Sequence, residues 1–125
     1  MTIELEHYFY DTYAIIEILK DNPRYLFYSD KPIFITKLNL FEIYYYLLRT
    51  QGEMLSDEFY RAYEERIMEY DFSVIKAAAK LKMTFRERKI SMTDCIGYSL
   101  ALSKGLKFLT GDRAFKDLPN VEFVK

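Results

Sequence analysis

The chain has 125 residues, half of them hydrophobic and 30% charged, with a formal net charge of -1. This describes one folded domain, residues 1–125, with a real hydrophobic core, and excludes a disordered chain. The near-neutral balance also excludes a global basic field, so any nucleic-acid site must be a local patch.

Short strands alternate with helices along the chain. "HYFYD" reads as a first strand ending in a turn-former, and "TYAIIEILK" has the 3.6-residue apolar spacing of a helix. "PIFIT", β-branched and aromatic after a proline, is a second strand, and "LNLFEIYYYLLRTQG" is a helix stopped by Gly52. "SDEFYRAYEERIMEY" opens a helix with Ser56 and Glu58, and its end, Ile67 to Tyr70, has the composition of a short strand. "DFSVIKAAAKLKMTFRERK" and "TDCIGYSLALSKG" are helices, the second closed by Gly105, and "LKFLT" and "VEFVK" are strands. Such alternation predicts βαβ units and a mainly parallel sheet covered by helices on both faces.

Four acids stand apart from the solvated charge of the rest. Asp11 ends the first strand, Glu42 is the sole charge in "LNLFEIYYYLL", Asp94 the sole charge in "ISMTDCIGYSLALS", and Asp112 follows "FLTG". Each has a plain structural role available. Asp11 is placed to cap the helix from Thr12, Asp112 to cap a turn through "RAFKD", and Ser91-x-x-Asp94 and Asn39-x-x-Glu42 resemble capping boxes. An acid in a first helical turn gains only about 0.3–1 kcal/mol from the helix dipole.

Topology adds a consequence that capping does not. Crossovers in a parallel sheet are right-handed, so strand ends and helix starts share the carboxyl edge, where ligands gather. All four acids are predicted at that one rim. Carboxylates brought together raise one another's pKa unless a cation is supplied. The simplest is a hard divalent metal held by oxygen ligands, Mg²⁺ or Mn²⁺.

"YFYDTYAII", "LNLFEIYYYLL", "SMTDCIGYSLALSKGLKFLTGDRAF" and the tail "LPNVEFV" together resemble a PIN domain, of the VapC-type toxin ribonuclease branch. The resemblance covers essentially the whole chain and keeps the four acids in the family's order and approximate spacing. It implies a three-layer α/β/α sandwich around a mainly parallel sheet and a metal-dependent endoribonuclease using Mg²⁺ (or Mn²⁺). In it Asp11, Glu42, Asp94 and Asp112 match the catalytic, metal-binding quartet. Asp11, Asp94 and Asp112 match metal ligands; Glu42 either binds a second metal or orients the attacking water. Thr12 and Thr110 match hydroxyls that support the first and last acids. An RNA substrate, a cognate antitoxin and a homodimer are implied partners. The run Tyr44-Tyr45-Tyr46 is bulkier than the family pattern and reads either as core and subunit interface or as a base-stacking surface.

Positive charge is densest in "KLKMTFRERK", Lys80 to Lys89, which reads either as a solvated helix face or as a track for RNA phosphates with Arg86 and Arg88 as candidates; Arg113 and Lys116 lie closer to the site, beside Asp112. Asp117 reads as a surface charge. His7 has no partner at zinc-ligand spacing, and Cys95 no histidine to activate it, so the first is a sheet-end residue and the second a small buried hydrophobe. One cysteine fits a reducing cytoplasm. "MTIELEHYFYD" lacks the basic-then-apolar pattern of a secretory signal, and no apolar run approaches the ~20 residues that span a bilayer. The competing functions are a housekeeping PIN nuclease without an inhibitor, a PIN-like binding module without catalysis, and a structural domain whose acids only cap helices.

Overall fold

Among the described residues, four short strands, β1 (Tyr8–Tyr10), β2 (Ile33–Phe34), β3 (Lys107–Thr110) and β4 (Val121–Phe123), form one sheet in the order β2–β1–β3–β4. Every pairing is parallel, with Phe9 opposite Phe34 on one side and Phe108 on the other. The protein is seen here in a computed structural model that describes residues 6–125. The part of the secretory-signal reading that rests on residues 1–5 falls outside them.

The side-chain period of two sorts the strands between two cores. Tyr8 and Tyr10 of β1 and Leu109 of β3 face helices α1 (Thr12–Leu19), α2 (Lys37–Thr50) and α3 (Glu53–Tyr63), burying Ile15, Ile43, Leu47 and Phe59. Phe9 and Phe108 face the opposite way, against α4 (Phe72–Thr84) and α5 (Met92–Lys104). The result is the expected α/β/α sandwich. Phe9 and Phe108 stack with centroids 5.9 Å apart and are fully enclosed, which stabilises the fold by roughly 1.5–3 kcal/mol for each ring. Helix α5 reaches this close to the sheet because position 97 is glycine: a Cβ there would lie 2.7 Å from a ring carbon of Phe9.

The sheet also explains several of the twelve tyrosines. Buried Tyr rings fill core volume, and their hydroxyls reach backbone carbonyls: Tyr10 donates to Tyr28 O (2.7 Å), Tyr25 to Val124 O (2.5 Å) and Tyr98 to Pro119 O (2.7 Å). These bonds tie turns and the C-terminal strand to the core.

Some boundaries differ from the sequence reading. Helix α3 starts at Glu53, not at Ser56. Gly52, with φ at 95°, both stops α2 and opens α3, and Ser56 is left within the first turn, donating to Gly52 O at 2.9 Å. Helix α4 ends at Thr84, ahead of "FRERK"; Arg86–Arg88 form one 3-10 turn, and Lys89 takes a left-handed conformation at φ 56°. The strand expected over Ile67 to Tyr70 is a single parallel bridge between Ile67 and Ile35, extending the sheet beyond β2. Among the described residues, no helix is long and apolar enough to cross a membrane.

Candidate metal centre at the carboxyl edge of the sheet

Asp11 follows the last residue of β1 and caps α1. One carboxylate oxygen accepts the Ala14 backbone N–H at 2.7 Å, and the other accepts the hydroxyl of Thr110, the last residue of β3. Thr110 in turn accepts the backbone N–H of Asp112 at 3.0 Å, so one hydroxyl links the first and last acids. Asp112 caps the 3-10 turn Arg113–Phe115 through Ala114 N–H, at 3.0 Å. Between them, Gly111 has no room for a side chain: a Cβ would lie 2.2 Å from the Tyr13 ring and 2.7 Å from Val124 O. That contact seats the Asp112 loop against α1 and the C-terminal strand.

The other two acids are not caps. Helix α5 is capped by the Ser91 hydroxyl, which accepts Asp94 N–H at 3.1 Å, so the Asp94 side chain is not needed for that task. Glu42 does not begin its helix. It lies in the second turn of α2, whose capping box is Thr36 and Asn39, so the pairing of Asn39 with Glu42 as a box is incorrect. A carboxylate beyond the first turn gains little from the helix dipole. Glu42 instead accepts the Thr12 hydroxyl at 2.5 Å, and Thr12 accepts from the Asn39 amide at 3.2 Å. Asn39 is fully buried, and its own oxygen accepts Thr36 N–H (3.0 Å) and the Thr36 hydroxyl (2.8 Å).

Asp11, Glu42, Asp94 and Asp112 all line one pocket of about 680 Å³. Asp11 is only 2% exposed. Burial pushes its carboxyl up to about 8, the Asp94 charge adding to this and the bonds from Thr110 and Ala14 opposing it. Asp94 is pushed up to about 6, by burial first and then by Asp112 and Glu42. Among the described residues, the ion pairs Lys31–Asp30, Lys37–Glu69 and Arg88–Asp117 leave all four acids out. The donors are hard oxygens of one charge sign, the chemistry that suits Mg²⁺ or Mn²⁺. No group of three or more His, Cys, Asp or Glu side chains among the described residues is drawn close enough to ligate an ion directly.

The basic candidates divide. Arg113 lines the pocket, whereas Lys116 stands over the Phe123 ring at 5.5 Å, and neither Arg86 nor Arg88 reaches the lining. Arg88 is engaged elsewhere: it grips Asp117 with both nitrogens (2.7 and 3.0 Å), donates to Ala114 O at 2.9 Å and lies over Phe85. Asp117 is thus a surface charge with a partner. His7 sits exposed at the opposite end of β1, edge-on to Phe34, and Cys95 is buried, its thiol pushed up by burial. Two further basic residues, Arg49 and Lys125, line the pocket and escaped the sequence reading, which also placed Asn39 in a box with Glu42 and missed its support of Thr12. For Asn39 the signal was present, a Thr three residues before it in "TKLN".

A comparison with curated proteins finds no match. Among solved structures, a toxin–antitoxin complex from Klebsiella pneumoniae contains a chain that superposes with a TM-score of 0.74 at 16% identity, covering 92% of this chain and 95% of that one. A chain in the crystal structure of VapBC2 from Rickettsia felis, bound to a DNA fragment from the promoter, gives 0.65 at 19% identity over 94% and 96%. At such identities the likeness is one of fold. The sequence itself matches the PIN domain family over residues 8–121, nearly its whole length, and the chain belongs to that family.

Proposed function

We propose that this PIN domain is a metal-dependent endoribonuclease that hydrolyses RNA phosphodiester bonds, acting as the toxin of a toxin–antitoxin pair. The observation that carries the reading is Asp11: a buried carboxylate held by two hydrogen bonds, beside further acids and without a basic partner among the described ion pairs. A structural domain gains nothing from such an arrangement, since desolvated like charges destabilise it. Toxin–antitoxin complexes among the structures of the same fold support the partner side of the proposal.

Asp11, Asp94 and Asp112 would hold the ion, and Mg²⁺ or Mn²⁺ there would supply Lewis acidity toward water and the phosphate. The chain does the positioning. Thr110 fixes Asp11 and the Asp112 loop relative to each other. The series Asn39 to Thr12 to Glu42 aims one Glu42 oxygen and leaves the other to orient the attacking water or take its proton. Arg113, exposed at the mouth, meets the incoming phosphate. A homodimer belongs to the same reading, with apolar side chains Phe72, Ile75, Met83 and Leu102 left exposed on α4 and α5.

The test is cleavage of RNA by the purified chain. Activity should require Mg²⁺ or Mn²⁺, vanish with a chelator and return on adding metal. Co-expression with the product of an adjacent small gene should suppress it. Cleavage that survives chelation would refute the metal assignment, and no cleavage of any RNA in Mn²⁺ would refute the nuclease.

A further inference from the structure

The three tyrosines of α2 have three different fates. Tyr44 donates to Asp57 of α3 at 2.8 Å, and Tyr46 packs against the core. Tyr45 remains 58% exposed, and Phe41, one helical turn earlier, is 72% exposed. Both line the acid pocket. Residues 41, 45 and 49 recur at the i, i+4 spacing that aligns side chains on one helix face, with about 6 Å of rise between successive members. The third member is Arg49, whose guanidinium lies 5.5 Å from the Tyr45 ring centroid. The strip of two open rings and a cation thus runs along the wall that also carries Glu42.

Large exposed aromatic rings at the mouth of an acidic pocket cost solvation and contribute nothing to the core. We propose that Phe41 and Tyr45 form a stacking platform for unpaired bases next to the phosphate being cut, with Arg49 beside them meeting the backbone. This rests on the nuclease reading of the pocket and names how that site holds its substrate. A phosphate seated among the four acids brings its neighbouring nucleotides within reach of α2. Bases offer flat faces to rings of either kind, which makes such contacts tolerant of sequence. The cations of the same lining, Arg49, Arg113 and Lys125, match a polyanion and do not match a purely apolar partner. A base inside a duplex is already stacked on both faces, so the platform favours single strands, loops and bulges.

The experiment uses the full chain in Mn²⁺ and a short single-stranded RNA with 2-aminopurine at one position. Its fluorescence, which falls on stacking, is followed before cleavage begins. Wild type should quench the probe in the single strand and cause no further fall for the same strand in a duplex, where the probe is already stacked. Phe41→Ala with Tyr45→Ala should remove the quench and raise KM roughly 5- to 100-fold, with kcat changed far less. Tyr45→Phe should keep both, since the ring is kept. The melting temperature should hold, because both side chains are exposed. Unchanged KM and quench in the double variant would overturn the platform while leaving the nuclease intact. A changed sedimentation profile with unchanged RNA affinity would also overturn it, and would assign the strip to a protein interface. Loss of the nuclease reading has a different signature, a wild type that neither binds nor cuts RNA.

Discussion

The sheet has a concave site at each end, and the two are built on opposite principles. At the carboxyl edge, four acids line about 680 Å³, with Asp11 buried and raised in pKa. At the amino edge, Glu6, His7, Lys104 and Lys107 line about 510 Å³, with both signs of charge present and the first three residues exposed. Mixed, hydrated charges of the second kind need no partner and contribute little to stability. The first kind is unfavourable on its own when ionised, and the proposed cation would repay that desolvation. Both linings carry cations, Arg49, Arg113 and Lys125 in the first, so the difference lies in burial: Asp11 is enclosed and joins none of the ion pairs among the described residues.

Asp94→Asn gives the sharpest break in this contrast. Ser91 already caps α5, so the substitution removes a charge from the acid cluster and at most the dipole term, about 1 kcal/mol or less of metal-free stability. On the proposed reading of Asp94 as a ligand of the ion, RNA cleavage should fall by at least ~100-fold. Added Mn²⁺ should raise the melting temperature of wild type more than that of the variant. Equal metal shifts with cleavage retained would reduce Asp94 to a carboxylate without a ligand role, like Glu6 at the amino edge.

Proton linkage gives the next effect. The folded state holds the Asp11 proton up to about pH 8 and the Asp94 proton to about 6, while both titrate near 3.8 once unfolded. Between those values the folded state binds more protons than the unfolded, so stability is fully present below the unfolded pKa and is lost as pH rises through the folded pKa. The melting temperature of metal-free protein should therefore fall between pH 4 and 8 on account of these two groups. Asp71 and Asp117, whose pKa values are lowered by the Ser73 and Arg88 side chains respectively, act in the opposite direction, but both are exposed and the effect is screened. Saturating Mn²⁺ should flatten the profile above about pH 6 and release protons on binding. A metal-free melting temperature that rises steadily across that range would contradict the burial of Asp11 as a lone carboxylate.

How far the sequence reveals this site depends on what kind of interaction places each residue. Asp11, Asp94 and Asp112 were legible because strand ends and helix starts are written in local patterns, and a parallel topology then sends them to one edge. The capping role of Asn39 was misread by one turn: "TKLN" and "NLFE" offer overlapping boxes, and only the entry of the chain from Ile35 decides between them. Arg49 and Lys125 were not legible, since they reach the pocket through helix rotation and through the docking of β4, which are tertiary facts. The pairing of Arg88 was not legible for a similar reason. In sequence it sits in a basic run, and its partner Asp117 is 29 positions away. The carbonyls that Tyr10, Tyr25 and Tyr98 bond are likewise distant in the chain.

The smallest effect separates the two ends by their cations. Arg113 lines the acid pocket, while Lys104 and Lys107 line the amino-edge groove. All three would count equally in any tally of surface charge. Only a cation that touches a phosphate releases a counterion from the RNA on binding, so only that one adds to the dependence of affinity on salt. Arg113→Ala should therefore weaken RNA binding across sequences and reduce the magnitude of the salt slope by about 1. Lys104→Ala combined with Lys107→Ala removes twice the charge, at the far edge of the sheet. At 0.15 M salt the field of those two charges is screened within about 8 Å, so neither affinity nor slope should move. A slope lowered by the lysine pair as much as by Arg113 would mean that RNA wraps both ends of the sheet, and the contrast between a ligand-requiring edge and an inert one would have to be redrawn.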